Sequence, residues 1–151
     1  MIRRACIEDV KKIYAILQHF SAKELLLGRS LSSLYDQLRD FSVYEDSGEI
    51  VGVCALHVCW EDLAEIRSLA VVEKAHGQGV GRALVHTCLD DMESLGLSRV
   101  FTLTYQPKFF RKLGFKDIDK SELPHKVWSD CINCSKFPDC NEEALVWEKS
   151  T

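Results

Sequence analysis

Two stretches near the start of the chain carry apolar residues at the spacing of an α-helix. The first runs from Ile7 to Phe20, and its apolar positions are Ile7, Val10, Ile13, Tyr14 and Leu17. The second runs from Ser30 to Leu38, and its apolar positions are Leu31, Leu34, Tyr35 and Leu38. Residues three and four apart share one face of a helix, so both stretches predict amphipathic helices. Serines can cap the second helix, and Gly28 and Arg29 form the loop between the two.

The rest of the chain alternates between strand patterns and helix patterns. Strands are predicted from Ile2 to Ala5, Phe41 to Glu45, Ile50 to Trp60, Leu63 to Val72, Arg99 to Thr104, from Phe115 onward and from Ala144 to Glu148. Helices are predicted from Val80 to Leu95, ended by Gly96, and from Pro107 to Leu113, ended by Gly114. Asp46 to Glu49 read as a hairpin turn. The predicted order is β-α-α-β-β-β-α-β-α-β-β.

A glycine-rich turn joins the strand that ends at Val72 to the helix that begins at Val80. Its sequence is His76-Gly-Gln-Gly-Val-Gly-Arg82. Glycines let the backbone approach a ligand closely, and the first turn of a helix offers unpaired N–H groups to an anion. The turn therefore predicts a pyrophosphate site.

Two kinds of nucleotide site fit this turn poorly. A P-loop needs Lys followed by Ser or Thr after its last glycine, whereas Arg82 and Ala83 follow Gly81. A dinucleotide fold needs an acidic residue about 20 residues further on, and that region reads Val-Phe-Thr-Leu-Thr-Tyr. Neither an ATPase nor a dinucleotide enzyme is favoured.

The turn resembles the pattern Gln/Arg-x-x-Gly-x-Gly/Ala of the GNAT acetyltransferases, with His76 at its first position. Phe109-Phe-Arg-Lys-Leu-Gly-Phe115 and the order of elements extend the resemblance from Ile2 to Phe115. It implies an α/β (α+β) fold, a mixed and mostly antiparallel twisted sheet flanked by helices on both faces, in a single domain over 1–151. Leu63-Ala-Glu-Ile-Arg-Ser-Leu-Ala-Val71 and Phe101-Thr-Leu-Thr-Tyr-Gln-Pro107 are similar to the short amino-acid N-acetyltransferases related to the catalytic domain of N-acetylglutamate synthase.

This resemblance implies acetyl-CoA as co-substrate and assigns roles to named positions. The residues expected to bind the cofactor are Leu69, Ala70, Val71, His76, Gly77, Gln78, Gly79, Val80, Gly81, Arg82 and Phe109. Backbone amides near Leu69 to Val71 would pair with the pantetheine arm and hold the acetyl oxygen. No metal is expected in the catalytic site.

Acyl transfer to an amine needs a group that removes the ammonium proton. Similar enzymes place a carboxylate where Glu65 stands, so Glu65 is the expected general base; the alternative is a solvated carboxylate at a strand end. The family's usual acid is a tyrosine at the position of Phe110, and this chain lacks it. Tyr105 is the nearest substitute, water is an alternative proton source, and Tyr105 as a packing residue is equally open.

Several cations are candidates for holding the carboxyl groups of an amino acid. Side chains alternate along a strand, so Arg67 should lie beside Glu65. Arg29, Lys108 and Lys126 are further candidates, because Arg in particular binds carboxylates bidentately. A surface or ion-pair role is open for each.

Composition narrows the class of protein. The chain has 151 residues, 46% of them hydrophobic, which suits one domain with a full core. A net charge of -4 gives no broad basic face for nucleic acid, and no apolar run approaches the ~20 residues needed to cross a membrane. The first residues lack the apolar core of a signal peptide, so a cytoplasmic location is expected.

The seven cysteines fall into two groups. Cys6, Cys54, Cys59 and Cys88 sit in apolar or periodic segments, where free cysteine behaves as a small hydrophobe and indicates a reducing compartment. Cys131, Cys134 and Cys140 follow His125 in a cysteine-containing segment at about 121–143. Their spacing would suit a zinc clip, but no second Cys-x2-Cys pair exists, which favours packing.

Three functions remain open at this point. The first is acetyl-CoA-dependent acetylation of a small amino acid, with glutamate favoured through the resemblance, which places the chain in amino-acid and arginine biosynthesis. The second is a catalytically weak acyl-CoA-binding regulatory module, and the third is acetylation of a protein amine. The expected partner is a small-molecule amine, and apolar strands near the C-terminus leave room for a homodimer.

Overall fold

A seven-stranded sheet organises the protein. The computed structural model describes residues 1–23, 28–123 and 142–149. The strands are β1 (Ile2–Arg4), β2 (Phe41–Asp46), β3 (Glu49–Trp60), β4 (Leu63–Val71), β5 (Arg99–Thr104), β6 (Lys116–Asp117) and β7 (Glu143–Glu148). They lie in the order β1-β2-β3-β4-β5-β7-β6. The β4–β5 pair is parallel and the other neighbours are antiparallel, so the mixed, mostly antiparallel sheet is confirmed.

The helices follow the predicted order. They are α1 (Val10–Ala22), α2 (Leu31–Asp36), α3 (Val80–Ser94) and α4 (Pro107–Lys112). The prediction that the first helix begins at Ile7 is wrong. Residues Ile7–Asp9 form a 3-10 turn because the Asp9 carboxylate accepts a hydrogen bond from the Cys6 amide at 2.8 Å. Ile7 is consequently 63% exposed rather than part of the apolar face.

The two faces of the sheet carry different cores. On one face, α3 packs its apolar side on residues of β3 and β4 such as Cys54, Leu56 and Ile66 in a continuous cluster. On the other face, α1 and α2 cover a second cluster around Phe41 and Val53. A third cluster lies further along that face and contains Cys59, Leu63, Phe101, Leu123 and Ala144. Polar side chains of β3 and β4 lie on this face, in the strand segments between the second and third clusters.

Strand β4 is irregular at its centre. Ala55 of β3 pairs with Arg67, but Val53 pairs with Ala70, so β4 contains one extra residue. Ser68 takes up this residue with φ 55°, a left-handed conformation that is uncommon outside glycine. On its other side, β4 pairs with β5 only over Ala64 to Ile66 in the described chain. The pairing of the two strands therefore ends at Ile66, and the region next to the bulge where β4 and β5 are not paired is called here the cleft between β4 and β5.

Four of the seven cysteines lie in the described ranges, so their predicted burial can be compared with the structure. Cys54, Cys59 and Cys88 are buried as expected, whereas Cys6 is exposed, because it precedes the turn that Asp9 closes. Within the described ranges, no three metal-ligating side chains cluster. Cys131, Cys134, Cys140 and His125 lie outside those ranges. No helix in the described part of the chain combines the length and apolar character needed to span a membrane.

Candidate active site

The glycine-rich turn presents the start of α3 to solvent. Gly77 and Gly79 have φ of 78° and 79°, a conformation that disfavours any residue with a side chain. The Ala83 amide donates to the Gly79 carbonyl at 3.0 Å and begins the helical ladder. The amides of residues 80–82 precede that bond, at the positive end of a helix of 15 residues. This geometry suits a pyrophosphate.

Two side chains bond the glycine-rich turn to the residues that precede it. The Nε2 atom of His76 donates to the Val71 carbonyl at 2.7 Å, which ties the turn to the end of β4. Gln78 makes a longer bond, from Nε2 to the Lys74 carbonyl at 3.4 Å. Both side chains therefore shape the turn, while Arg82 stays exposed on the first turn of α3.

Helix α4 approaches the turn closely at Gly81. A Cβ atom built on Gly81 would lie 3.3 Å from the Cζ atom of Phe109. The predicted cofactor residues Gly81 and Phe109 therefore meet in space, although 28 positions separate them in the chain. Glycine at this position keeps the start of α3 close to α4.

A carboxylate and a guanidinium lie together on the opposite face of β4. The Nε atom of Arg67 donates to Oε1 of Glu65 at 2.6 Å, so the alternation of side chains predicted their proximity correctly. The side chains of Glu65 and Arg67 are only 12% and 21% exposed. This ion pair lies just before the bulge at Ser68, near the mouth of the cleft between β4 and β5.

Arg29 is the second cation of this region. Its Nη2 atom donates to Ser33 Oγ at 2.9 Å and also bonds Oε1 of Gln37, and the guanidinium lies 5.2 Å from the ring centre of Phe41. Its Nη1 atom is buried and has no hydrogen-bond partner among the described residues. Burial lowers the pKa of Arg29, the nearby Arg67 charge lowers it further, and Asp40 and Glu65 oppose this effect.

Two further polar residues join the group, and the sequence reasoning missed both. The Nδ1 atom of His57 lies 2.7 Å from Oδ2 of Asp40, with both side chains about one-quarter exposed. His57 is also the direct cross-strand partner of Glu65. The sequence carries no local signal for this arrangement, because it depends on the register between β3 and β4.

Comparisons with known proteins agree with this geometry. The family model described as the acetyltransferase (GNAT) family matches residues 9–115. The chain belongs to the GNAT acetyltransferase family. It is an acetyltransferase, and its co-substrate is acetyl-CoA.

Named relatives include bacterial enzymes of similar size. An uncharacterized N-acetyltransferase of Chlorobaculum tepidum is 37% identical over 96% of this chain and 94% of its own length. An amino-acid acetyltransferase of Mycobacterium tuberculosis is 37% identical over 86% of this chain and 76% of its own. The solved N-acetylglutamate synthase of Neisseria gonorrhoeae, complexed with coenzyme A and N-acetyl-glutamate, is 28% identical with a TM-score of 0.89. That match covers 100% of this chain and 35% of the synthase.

The region where the family's tyrosine would lie is apolar in this GNAT chain. Phe110 is 2% exposed and packs edge-on against Phe109 and Phe115, with ring centres 5.1 Å apart in each pair. Tyr105 follows β5 directly and is half-buried. The nearby turn is fixed by the Gln106 amide, which donates to Thr104 Oγ1 at 2.8 Å.

The structure does not bring all predicted substrate residues together. Glu65 and Arg67 form an ion pair, and the charges of both residues affect the pKa of Arg29, so the three residues form one electrostatic group. Lys108 is exposed on α4, and no contact found in the described ranges links it to this group. Lys126 lies outside the described residues.

Proposed function

We propose that this GNAT enzyme transfers the acetyl group of acetyl-CoA to the amine of a small amino acid, with glutamate as the favoured acceptor. The observation that carries the proposal is the buried Nη1 atom of Arg29. Among the described residues it lacks a hydrogen-bond partner, and it lies in the same electrostatic group as Glu65. A buried polar donor without a partner is costly, so a ligand that accepts from it is favoured.

A carboxylate is the chemistry that fits Arg29. Ser33, Gln37 and the ring of Phe41 fix one side of the guanidinium, so its orientation is set before a ligand arrives. Burial disfavours its positive charge, and a bound carboxylate would compensate that charge and accept from Nη1. The same site therefore favours an amino acid over a simple amine.

Glu65 is suited to bind the amine end of the acceptor amino acid. An ammonium group beside this half-buried carboxylate would be held by a charge-assisted hydrogen bond, and Glu65 is the first acceptor of its proton, directly or through one water. Arg67 fixes the carboxylate at 2.6 Å. Glu65 lies on the strand that carries the bulge, so the amine would be held next to the cleft between β4 and β5.

Acetyl-CoA is assigned to that cleft and to the glycine-rich turn. Its pyrophosphate would accept from the amides of residues 77–82, and its pantetheine arm would extend β4 along Leu69, Ala70 and Val71. Backbone amides at the bulge would stabilise the negative oxygen that develops on the acetyl carbonyl. Tyr105 or water would protonate the departing thiolate, because Phe110 has no hydroxyl.

Relatives support this acceptor class. The enzyme of Mycobacterium tuberculosis is named an amino-acid acetyltransferase, and the enzyme of Neisseria gonorrhoeae was solved with N-acetyl-glutamate. Both share more than a quarter of their aligned residues with this chain. We extend their acceptor class to this protein. This acceptor would place the enzyme in amino-acid and arginine biosynthesis in the cytoplasm.

The proposal treats residues 1–151 as one acetyltransferase domain, with the cysteine-containing segment at about 121–143 as part of it. The support is that one sheet includes strands from both Ile2–Arg4 and Glu143–Glu148. The homodimer stays a prediction, which the mass of the protein in solution would test.

The test measures release of the CoA thiol from acetyl-CoA with a panel of amino acids, alongside a titration of acetyl-CoA binding on the same sample. We expect turnover with glutamate well above that with amines that lack a carboxylate. Binding of acetyl-CoA without turnover on any amine would favour the regulatory module. Turnover with a peptide amine alone would favour a protein acceptor.

A further inference from the structure

The hydrogen bond between Asp40 and His57 defines the orientation of the imidazole. Nδ1 lies 2.7 Å from the Asp40 carboxylate, which leaves Nε2 as the nitrogen available for proton transfer. In the described part of the chain, Nε2 has no hydrogen-bond partner. The His57 side chain is 26% exposed. A carboxylate that accepts a hydrogen bond from one ring nitrogen fixes the tautomer of an imidazole.

The imidazole lies beside the carboxylate proposed to hold the amine. His57 and Glu65 are direct partners across the β3–β4 ladder, and such partners have Cβ atoms about 5 Å apart. In the described part of the chain, the charged groups around His57 are Asp40 before β2, Glu65 and Arg67 on β4, and Arg29 before α2, which interacts with Asp40.

Arg67 already donates a hydrogen bond to Oε1 of Glu65 at 2.6 Å, which leaves that carboxylate less room to accept an ammonium proton. A second acceptor beside Glu65 would give the proton a path from the amine to solvent. We propose that His57 is a second proton acceptor in this active site, held in place by Asp40, and that it takes the acceptor's ammonium proton after Glu65 or a water.

The proton balance of this step is complete. One ammonium proton reaches Nε2 of His57 and leaves from there to solvent. The neutral amine attacks the thioester carbonyl, a C–N bond forms and the C–S bond breaks. A second proton leaves the nitrogen and neutralises the departing thiolate, so no further reactant is needed. The inference rests on the proposed function for the nature of the acceptor amine.

The kinetic test compares His57→Gln with His86→Gln, which alters an exposed histidine on α3 at the other face of the sheet. We expect H57Q to lower kcat by roughly 10- to 100-fold with little change in the KM for acetyl-CoA. It should also flatten the acid side of the pH profile of kcat/KM, and added imidazole should partly restore H57A. Asp40→Asn should lower kcat as well, since an amide can donate to Nδ1 and reverse the tautomer. An H57Q enzyme with the wild-type kcat and pH profile would overturn the proposal.

A second measurement does not depend on the acceptor. Nitrogen NMR of the His57 side chain should show a proton on Nδ1 and none on Nε2 at pH 8, and the D40N variant should lose this preference. A proton on Nε2 at that pH would overturn the proposal even if glutamate is a substrate. If glutamate is not a substrate but the tautomer is as expected, the acceptor assignment fails, and an H57Q enzyme with the wild-type kcat on whichever amine is acetylated would overturn the role of His57.

Discussion

The two faces of the sheet assemble their parts of the site in different ways. The face under α3 carries one continuous apolar cluster, and its cofactor turn comes from a contiguous run of residues, 76–82. In the described residues, the opposite face carries two separate apolar clusters. Its polar residues come from separate segments of the chain: Arg29, Asp40, His57, Glu65 and Arg67. The cofactor turn is therefore encoded by neighbouring residues in the sequence, whereas the acceptor side depends on the whole fold.

The largest effect is expected for Glu65→Gln. Loss of the carboxylate should lower kcat by roughly 100- to 1,000-fold, and most strongly at low pH, where more of the amine is protonated. The KM for acetyl-CoA should stay nearly constant, because the cofactor turn lies beyond the bulge. Steady-state kinetics in both substrates would measure this, with Glu61→Gln, an exposed carboxylate in the same hairpin, as control. An unchanged kcat would remove Glu65 from the chemistry.

Sequence reasoning was most successful where the signal is contiguous. The order of elements and the glycine turn follow from local periodicity and from residues within a few positions of each other. The proximity of Glu65 and Arg67 follows from alternation within a single strand. His57 and Asp40 could not be found in this way, because their meeting depends on the register between strands and on a loop 17 residues away.

Two further differences have local physical causes. Apolar spacing predicts the start of α1 three residues early, because the pairing of Asp9 with Cys6 and Arg3 competes with helical bonds there. The bulge at Ser68 has no sequence signature, since serine in a strand pattern does not indicate a positive φ. Both features shape the acceptor side of the sheet.

A second prediction concerns how α1 is held on the acceptor side. Arg3 pairs with Asp9 at 2.7 Å and lowers the pKa of that carboxyl to about 2. A carboxyl whose pKa is lower in the folded state than in the unfolded state stabilises the fold at pH values above its unfolded-state pKa. That stabilisation is lost as the pH falls towards 2. Asp9→Asn should therefore cost about 2 kcal/mol at neutral pH.

Denaturant unfolding at several pH values would measure this effect. Between pH 5 and pH 2, the free energy of unfolding of the wild type should fall further than that of the D9N variant, so that most of the difference between the two proteins disappears. Asp36→Asn, an exposed position at the end of α2, serves as control. Parallel loss of stability with pH in wild type and D9N would contradict the assignment.

The smallest effect is expected at the cofactor turn. Gly79→Ala adds a side chain at φ 79°, and Gly96→Ala does the same at φ 83° beyond the end of α3. Each should cost roughly 1 kcal/mol of stability. Only G79A should also weaken acetyl-CoA binding, by about fivefold. Equal binding by both variants in a calorimetric titration would separate Gly79 from the cofactor site.

The central claim is that Arg29 recognises a carboxylate of the acceptor. The most direct measurement is the ratio of kcat/KM for glutamate to that for a matched primary amine without a carboxylate, in wild type, Arg29→Gln and the exposed control Arg39→Gln. A charge-assisted hydrogen bond is worth about 1.5–3 kcal/mol. We therefore predict that wild type and R39Q favour glutamate and that R29Q loses at least about tenfold of this preference. The same ratio in all three enzymes would contradict the account.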